Sequence, residues 1–158
     1  MSTPPAGRKI IAVNRKARHY YEFLEFVEAG LALTGSEVKS LRDGGVNFKD
    51  GHVRFRNHEA WLVGVHIAPY AHAALVEHGG HEPERERKLL LHAREIKALM
   101  AKVEQKGLTI VPTQMYFKAG KAKVELAVAR GKKFHDRRDD LKRDAEDRDA
   151  ARDLSSRR

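Results

Sequence analysis

The chain contains no cysteine, and this absence excludes several kinds of chemistry. Without thiols there is no disulfide framework, no thiolate zinc site and no cysteine nucleophile. Long hydrophobic runs are also missing, so no segment offers the roughly 20 consecutive apolar residues with which a helix crosses a bilayer. Residues 1–7 lack the apolar region of a secretory signal. We therefore expect a cytoplasmic protein with no membrane contact.

Positive charge, in contrast, is in excess. The chain has 31 lysines and arginines against 22 aspartates and glutamates, which gives a net charge of +9 and a pI near 9.9. Residues 1–130 contain 21 basic and 14 acidic side chains, a net charge of +7, and residues 131–158 contain 10 and 8, a net charge of +2. This balance favours a polyanionic partner that is attracted mainly to the first part of the chain.

The pattern of the sequence changes at residues 130–138, where alternating apolar residues give way to a string of charges. Beyond this point Leu141 and Leu154 are the only large apolar side chains, too few to offset the entropy cost of ordering the chain. We expect a flexible arm over residues 1–9, one domain over 10–130 and a charged tail over 131–158. The tail should be disordered when free, and acid–base pairs four residues apart should let it become helical on a charged template.

Most of the domain shows the alternation of β-strands. Strands are predicted over residues 10–13, 20–28, 53–67, 87–92, 108–117 and 123–130, with a bulge near Pro112. In the hairpin over 53–67, Trp61 is interpreted as a core anchor because its neighbours on the same strand face are aliphatic. An apolar stripe predicts a helix over 93–106 that ends at Gly107. The pattern indicates a mainly β protein with short helices, an antiparallel barrel of the oligonucleotide-binding (OB) type.

A second, short helix is predicted from a capping box. Thr34 and Glu37 have the spacing at which each side chain satisfies a backbone amide of the first turn. The helix should end at Gly44-Gly45, with Val38 and Leu41 facing the core. Its charged side chains, Glu37, Lys39 and Arg42, are expected to point outward.

Two basic stretches are candidates for contact with RNA. Residues 15–19 follow the first strand and should lie at the barrel rim, where Asn14 offers an amide for a base or sugar. Protection of a strand edge is the alternative. In residues 130–138, Phe134 and His135 offer stacking surfaces among cations, and a solvated linker is the alternative.

Metal binding and catalysis have weaker support. His72, His78 and His81 lie close together, but their spacing matches no structural zinc site, so a mobile surface loop is favoured and no metal or cofactor is expected. A nuclease that uses Asp136, Asp139 and Asp140 is a further alternative. Those carboxylates lie in the tail without the rigid support that catalysis needs, so we assign no catalytic residue and expect no enzyme.

Five blocks in order resemble the SsrA-binding protein family, also called small protein B, over about residues 10–138. They are Asn14-Arg15-Lys16-Ala17, Gly35-Ser36-Glu37-Val38-Lys39-Ser40-Leu41-Arg42, Glu59-Ala60-Trp61-Leu62 with His66-Ile67-Ala68-Pro69-Tyr70, Arg87-Lys88-Leu89-Leu90-Leu91-His92, and Arg130-Gly131-Lys132-Lys133. The resemblance implies an OB-type barrel that binds the tRNA-like domain of transfer-messenger RNA and delivers it to stalled ribosomes in trans-translation. A general ribosome-associated or cold-shock-like RNA chaperone is the alternative.

The resemblance also implies site residues and partners. The RNA-binding set combines Asn14 and Glu37, taken from the family, with cations added on chemical grounds and one residue of the leucine block; it comprises Asn14, Arg15, Lys16, Glu37, Lys39, Lys88 and Leu90. The set expected at the ribosomal decoding region, beside small-subunit RNA, comprises Lys132, Lys133, His135, Asp136, Arg137 and Arg138. In this set Arg137 replaces the family's usual lysine and His135 a common tyrosine. Elongation factor Tu, with the charged RNA, is a further predicted partner, and whether it contacts this chain directly is left open.

Overall fold

The structure is a computed structural model that describes residues 7–69 and 81–132. The described part contains three helices and nine strands. The helices are α1 (Arg15–Tyr20), α2 (Gly35–Arg42) and α3 (Ala93–Lys106). The strands are β1 (Arg8–Val13), β2 (Tyr21–Leu31), β3 (Val46–Asn47), β4 (His52–Arg56), β5 (Glu59–Val63), β6 (His66–Ile67), β7 (Arg87–Leu90), β8 (Thr109–Lys118) and β9 (Lys121–Gly131). This composition confirms the mainly β prediction.

Seven strands form one antiparallel sheet in the order β1-β8-β9-β2-β7-β5-β4, and β3 pairs with β6 separately. The sheet curls until β4 packs against β8 without a hydrogen-bonded ladder. The result is an open, OB-like barrel, so the predicted architecture is confirmed although the ring of hydrogen bonds is not closed.

The main core lies inside the curled sheet. Among its fully buried side chains are Leu62, Ile67, Leu89, Ile110, Met115 and Leu126. The helix α3 adds Ile96 and Leu99 from its predicted stripe and ends at Gly107, whose φ of 62° suits glycine. Burial of each large aliphatic side chain stabilises the fold by roughly 1.5–3 kcal/mol, so these residues hold the barrel together.

Two bulges bend the long strands. The pairing of β8 with β9 shifts between Pro112 and Gln114, where the sequence predicts an interruption, and the pairing of β2 with β9 shifts between Phe23 and Glu25. An extra residue on one strand increases the local twist. These two positions therefore help the sheet to curl.

The structure corrects three predictions about the domain. The first strand begins at Arg8, two residues before the predicted start at residue 10. The basic residues after β1 lie on a helix, α1, and not on a bare strand edge. Trp61 is not a core anchor, because Ala60 and Leu62 are the buried residues of β5 and Trp61 lies on its outer face. The alternation predicted over 53–67 is interrupted at Gly64, whose φ of 76° ends the strand.

Candidate nucleic-acid interface

Asn14 caps α1 and fixes the basic helix to the sheet. Its Oδ1 accepts a hydrogen bond from the Ala17 amide at 3.3 Å, and its Nδ2 donates to the Pro112 carbonyl at 2.8 Å. The residue is buried. Both polar atoms of the amide are thus engaged within the protein. Asn14 therefore positions α1, and the exposed side chains beside it are those of Arg15 and Lys16.

A cleft of about 400 Å³ opens beside this cap, and we name it the N-cap cleft. Three lysines and two tyrosines line it together with Asn14: Lys16, Lys49, Lys132, Tyr20 and Tyr21. The Lys132 amide donates to the Tyr20 carbonyl at 2.9 Å, so the end of β9 meets the end of α1 here. Cations beside aromatic rings suit a phosphate backbone with stacked bases. The structure thereby brings together Lys16 and Lys132, which the sequence placed in separate sets.

Glu37 lies inside the protein, which corrects the prediction that it points outward. Its side chain is fully buried. Its Oε1 accepts hydrogen bonds from Arg85 Nη2 at 2.6 Å and from the Thr34 amide at 2.8 Å, and its Oε2 accepts one from Arg87 Nε at 2.6 Å. The predicted capping box is therefore confirmed, but the carboxylate also forms ion pairs with two guanidinium groups.

The protonation of Glu37 follows from these contacts. Burial by itself raises the pKa of a carboxyl group. The hydrogen bonds from Arg85, Thr34 and Arg87 outweigh it and lower the pKa of Glu37 to about 2. Glu37 is consequently an anion at neutral pH and cannot offer a proton to RNA.

Arg87 connects the buried Glu37–Arg87 ion pair to the elements around it. Its guanidinium donates to the Val65 carbonyl at 2.8 Å and to the Pro83 carbonyl at 2.9 Å, and its side chain is fully buried. The pair therefore joins α2, β7 and the segment that precedes β7. One sequence signal for this arrangement exists: Arg87 occupies a core-facing position of a buried strand, where a cation requires an anion.

Because Arg87 and Leu89 point into the core, Lys88 and Leu90 point outward from β7. Leu90 is 54% exposed, which settles which member of the leucine block faces solvent. Lys88 is partly exposed and lies 3.7 Å from Glu59. Lys39 lies on α2 and is exposed, in agreement with the outward direction predicted for it.

A second cleft, of about 220 Å³, surrounds Leu90, and we name it the Leu90 cleft. Its lining includes Gly30, Leu33, Val38, Leu90, Lys121 and Lys123. A Cβ on Gly30 would lie 3.2 Å from the Leu90 Cβ, so glycine keeps the floor of the cleft open. The lysines were missed from the sequence, because the β8–β9 hairpin brings them to β2 only in the folded chain.

A polar network that the sequence did not reveal anchors β1. The Arg8 guanidinium lies 4.2 Å from the centroid of the Tyr116 ring and donates to Glu28 at 3.2 Å. Tyr116 also donates its hydroxyl hydrogen to Glu28. That hydrogen bond lowers the pKa of Glu28, while burial and the nearby carboxylate raise the pKa of Tyr116. The network holds the edge strand against β8.

The described residues contain no group of three potential metal ligands close enough to hold an ion. His81 uses both ring nitrogens, at 2.8 Å from Ser36 Oγ and at 2.9 Å from the Ile67 carbonyl. His72, His78, residues 133–138, the three aspartates considered for a nuclease and the expected tail helix lie outside the described residues.

Comparison with known proteins identifies the family. A family model described as "SmpB protein" matches residues 11–156. This chain belongs to the SmpB family. Its relatives include the SsrA-binding protein of Solidesulfovibrio magneticus, 63% identical over 98% of this chain and 99% of the relative. The SsrA-binding protein of Nostoc punctiforme is 53% identical over 99% of both chains.

The fold of the SmpB family is also found among solved structures. One described as "tmRNA-SmpB: a journey to the center of the bacterial ribosome" matches with a TM-score of 0.65 and 52% identity, over 78% of this chain and 85% of that chain. The membership agrees with the resemblance carried by the five blocks. In the described part, no helix of this SmpB-family chain has the length and apolar character of a membrane span.

Proposed function

We propose that this chain binds the tRNA-like domain of transfer-messenger RNA and delivers it to stalled ribosomes in trans-translation. The observation that carries the proposal is identity of 53–63% over nearly the full chain to proteins named SsrA-binding protein. The solved relative, which is described as a tmRNA–SmpB structure of the ribosome, supports both partners. The two cation-lined clefts on the OB-like domain supply chemistry that fits an RNA.

The mechanism is recognition without a chemical step. The net charge of +7 on residues 1–130 attracts the RNA, and short-range contacts then fix its orientation. Arg15 and Lys16 contact phosphates beside the N-cap cleft, and Lys39, Lys88 and Leu90 contact RNA on the side of the Leu90 cleft. Asn14 and Glu37 support these surfaces from within, as positioning residues.

The tail extends this role to the ribosome. Lys132 is the last described residue, and it leaves the domain at the N-cap cleft. We assign Lys133, His135, Asp136, Arg137 and Arg138 to the decoding region, where the charged tail becomes helical along small-subunit RNA. The protein acts in the cytoplasm and is not an enzyme; elongation factor Tu stays a predicted partner.

Competition binding tests the proposal. The full chain is mixed with the labelled tRNA-like domain of transfer-messenger RNA at fixed physiological salt, and ordinary tRNA or an unrelated RNA of equal length is added as competitor. We expect the tRNA-like domain to be preferred by at least about tenfold, which corresponds to about 1.4 kcal/mol. Equal affinity for all three RNAs would favour the general RNA chaperone and contradict the proposal.

A truncated chain separates the two roles. Deletion of residues 133–158 should leave affinity for the tRNA-like domain within about twofold but abolish peptide tagging on stalled ribosomes, because the remaining domain retains both clefts. A cleavage assay with magnesium serves as the control for catalysis, and any turnover of the RNA would contradict a purely binding role.

A further inference from the structure

A row of cationic and aromatic side chains crosses the outer face of β4, β5 and β7. In the sheet register Arg54 lies opposite Trp61, and Trp61 lies opposite Lys88. Residues that face each other across antiparallel strands point to the same side of the sheet. Arg56 lies on the same face as Arg54, two residues further along β4. We name Arg54, Arg56, Trp61 and Lys88 the Trp61 row.

Arg56 lies between the ring of Trp61 and a carboxylate. The Arg56 guanidinium lies 4.9 Å from the centroid of the Trp61 ring, and Arg56 Nη2 donates to Glu86 at 2.8 Å. The Arg56 side chain is nevertheless 57% exposed. The guanidinium therefore lies beside the indole and still keeps more than half of its side-chain surface in solvent, where a nucleobase can stack on it.

The ends of the row carry charge toward solvent. Arg54 is exposed and has no ion-pair partner among the described residues. Lys88 keeps 45% of its side chain exposed despite its contact with Glu59. Three cations thus face two carboxylates, Glu59 and Glu86, and one cation is left uncompensated. This surplus favours a phosphate-bearing partner over an uncharged protein surface.

The row continues into the proposed RNA-binding surface. Lys88 and Leu90 alternate on the outer side of β7, so the Trp61 row and the Leu90 cleft share one face of the domain. An RNA strand that occupies the cleft can therefore extend across the row without turning around the barrel.

Resting on the proposed function, we propose that the Trp61 row is a further RNA-contact site that takes one unpaired nucleotide. The base stacks on the outer plane of Arg56, which Trp61 supports from below. Arg54 and Lys88 pair with the phosphates on either side. Binding covers the part of Trp61 that is exposed in the free protein.

Trp61 is the single tryptophan of the chain and therefore serves as an intrinsic fluorescence probe of this site. The full chain is titrated with the unlabelled tRNA-like domain while Trp61 emission and its quenching by acrylamide are recorded. A parallel titration with labelled RNA follows anisotropy, which reports binding anywhere on the chain. We expect the acrylamide quenching constant to fall by about twofold or more at saturation, since a stacked base excludes the quencher from the indole.

Three variants test the assigned roles. Arg56→Lys keeps the positive charge but removes the planar guanidinium, and it should weaken RNA binding about fivefold. Arg54→Gln should lower the slope of log affinity against log salt by about 1, because one phosphate contact is lost. Arg94→Gln removes the same charge from the exposed surface of α3 and should change neither binding nor quenching.

The outcomes are separable. Saturated anisotropy with unchanged access of acrylamide to Trp61 would overturn the Trp61 row and leave the proposed function intact. Wild-type affinity of Arg56→Lys would overturn the stacking role. No anisotropy change with any RNA would overturn both the proposed function and this site.

Discussion

At the scale of single residues, Glu37 shows how one buried carboxylate determines what surrounds it. It accepts two charged hydrogen bonds of 2.6 Å and one from a backbone amide, and none of its surface reaches solvent. The Leu90 cleft and Lys88 depend on it indirectly, because Arg87 aligns β7. Glu37 therefore contributes to RNA binding through the position of β7.

Replacement of this carboxylate should destabilise the domain strongly. Glu37→Gln leaves the buried Arg87 without its anion, and such a loss costs roughly 3–5 kcal/mol. Chemical denaturation monitored by circular dichroism measures the change. Glu22→Gln is the matched control, because Glu22 pairs with Arg130 at 3.7 Å on the surface and its loss should change the unfolding free energy little. Equal stability of the two variants would exclude the buried role.

Acid should remove the same contribution. The pKa of Glu37 falls from 4.5 to about 2 on folding, so the unfolded state takes up a proton first as the pH drops. The stabilisation is complete above pH of about 5 and is lost toward pH 2, at up to about 1.4 kcal/mol per pH unit. In denaturation series at several pH values, the difference in unfolding free energy between wild type and Glu37→Gln should shrink as the pH falls. A constant difference would contradict the assigned pKa.

Residue patterns predicted which positions are apolar better than which way each side chain points. Glu37 was expected outside because its capping box explains it fully, and the one signal of a buried partner, Arg87 on a core-facing strand position, lies 50 residues further along the chain. Trp61 was expected inside because alternation was extended across Gly64, a residue whose positive φ interrupts the strand. Both errors arise from contacts or conformations that a local pattern does not encode.

At the scale of elements, the sequence predicted a helix correctly where the signals for its start, its buried face and its end were all present. The helix α3 coincides with the predicted 93–106, because its stripe, its first turn and its terminal Gly107 all agree. The bulge near Pro112 was also predicted. The helix α1 was missed because six residues with one buried side chain leave no apolar stripe. The clefts were not predictable, since each combines elements distant in the sequence.

Gly30 offers a test of the Leu90 cleft at this scale. Gly30→Ala places a methyl group 3.2 Å from the Leu90 Cβ and 3.6 Å from Lys123 Nζ, which narrows the cleft. We expect affinity for the tRNA-like domain to fall about threefold or more, equivalent to at least about 0.6 kcal/mol, with a smaller effect on the melting temperature. Filter binding and thermal denaturation measure the two quantities.

Gly35→Ala is the control for that substitution. Gly35 begins α2, and a methyl group added to it would meet no atom within 4 Å, so RNA binding should be unchanged. A loss of affinity common to both variants would show that the effect does not come from the cleft.

At the scale of the whole molecule, basic side chains are concentrated at three places on the surface of one domain. The N-cap cleft, the Leu90 cleft and the Trp61 row gather basic side chains from α1, β4, β7 and β9 around a mostly apolar core. A polyanion bound to such a surface releases counterions, so affinity depends on salt. Composition predicted this attraction, whereas the three places where it is concentrated required the fold.

The salt dependence of RNA affinity should report the number of phosphate contacts. The logarithm of the affinity for the tRNA-like domain is expected to fall linearly with the logarithm of salt concentration, and Lys16→Gln should reduce the slope by about 1. Titrations at several salt concentrations measure it. An unchanged slope in Lys16→Gln would remove this lysine from the phosphate contacts.

The position of β9 has a mechanical consequence. This strand lies within the sheet and forms ladders with β8 on one side and β2 on the other, and Lys132 follows it directly. A pull on the chain at Lys132 acts along β9, so both ladders are loaded in shear and must rupture together. Tension applied through the tail is thereby spread over the two longest ladders of the sheet, and the domain can keep its shape while the attached segment is drawn away.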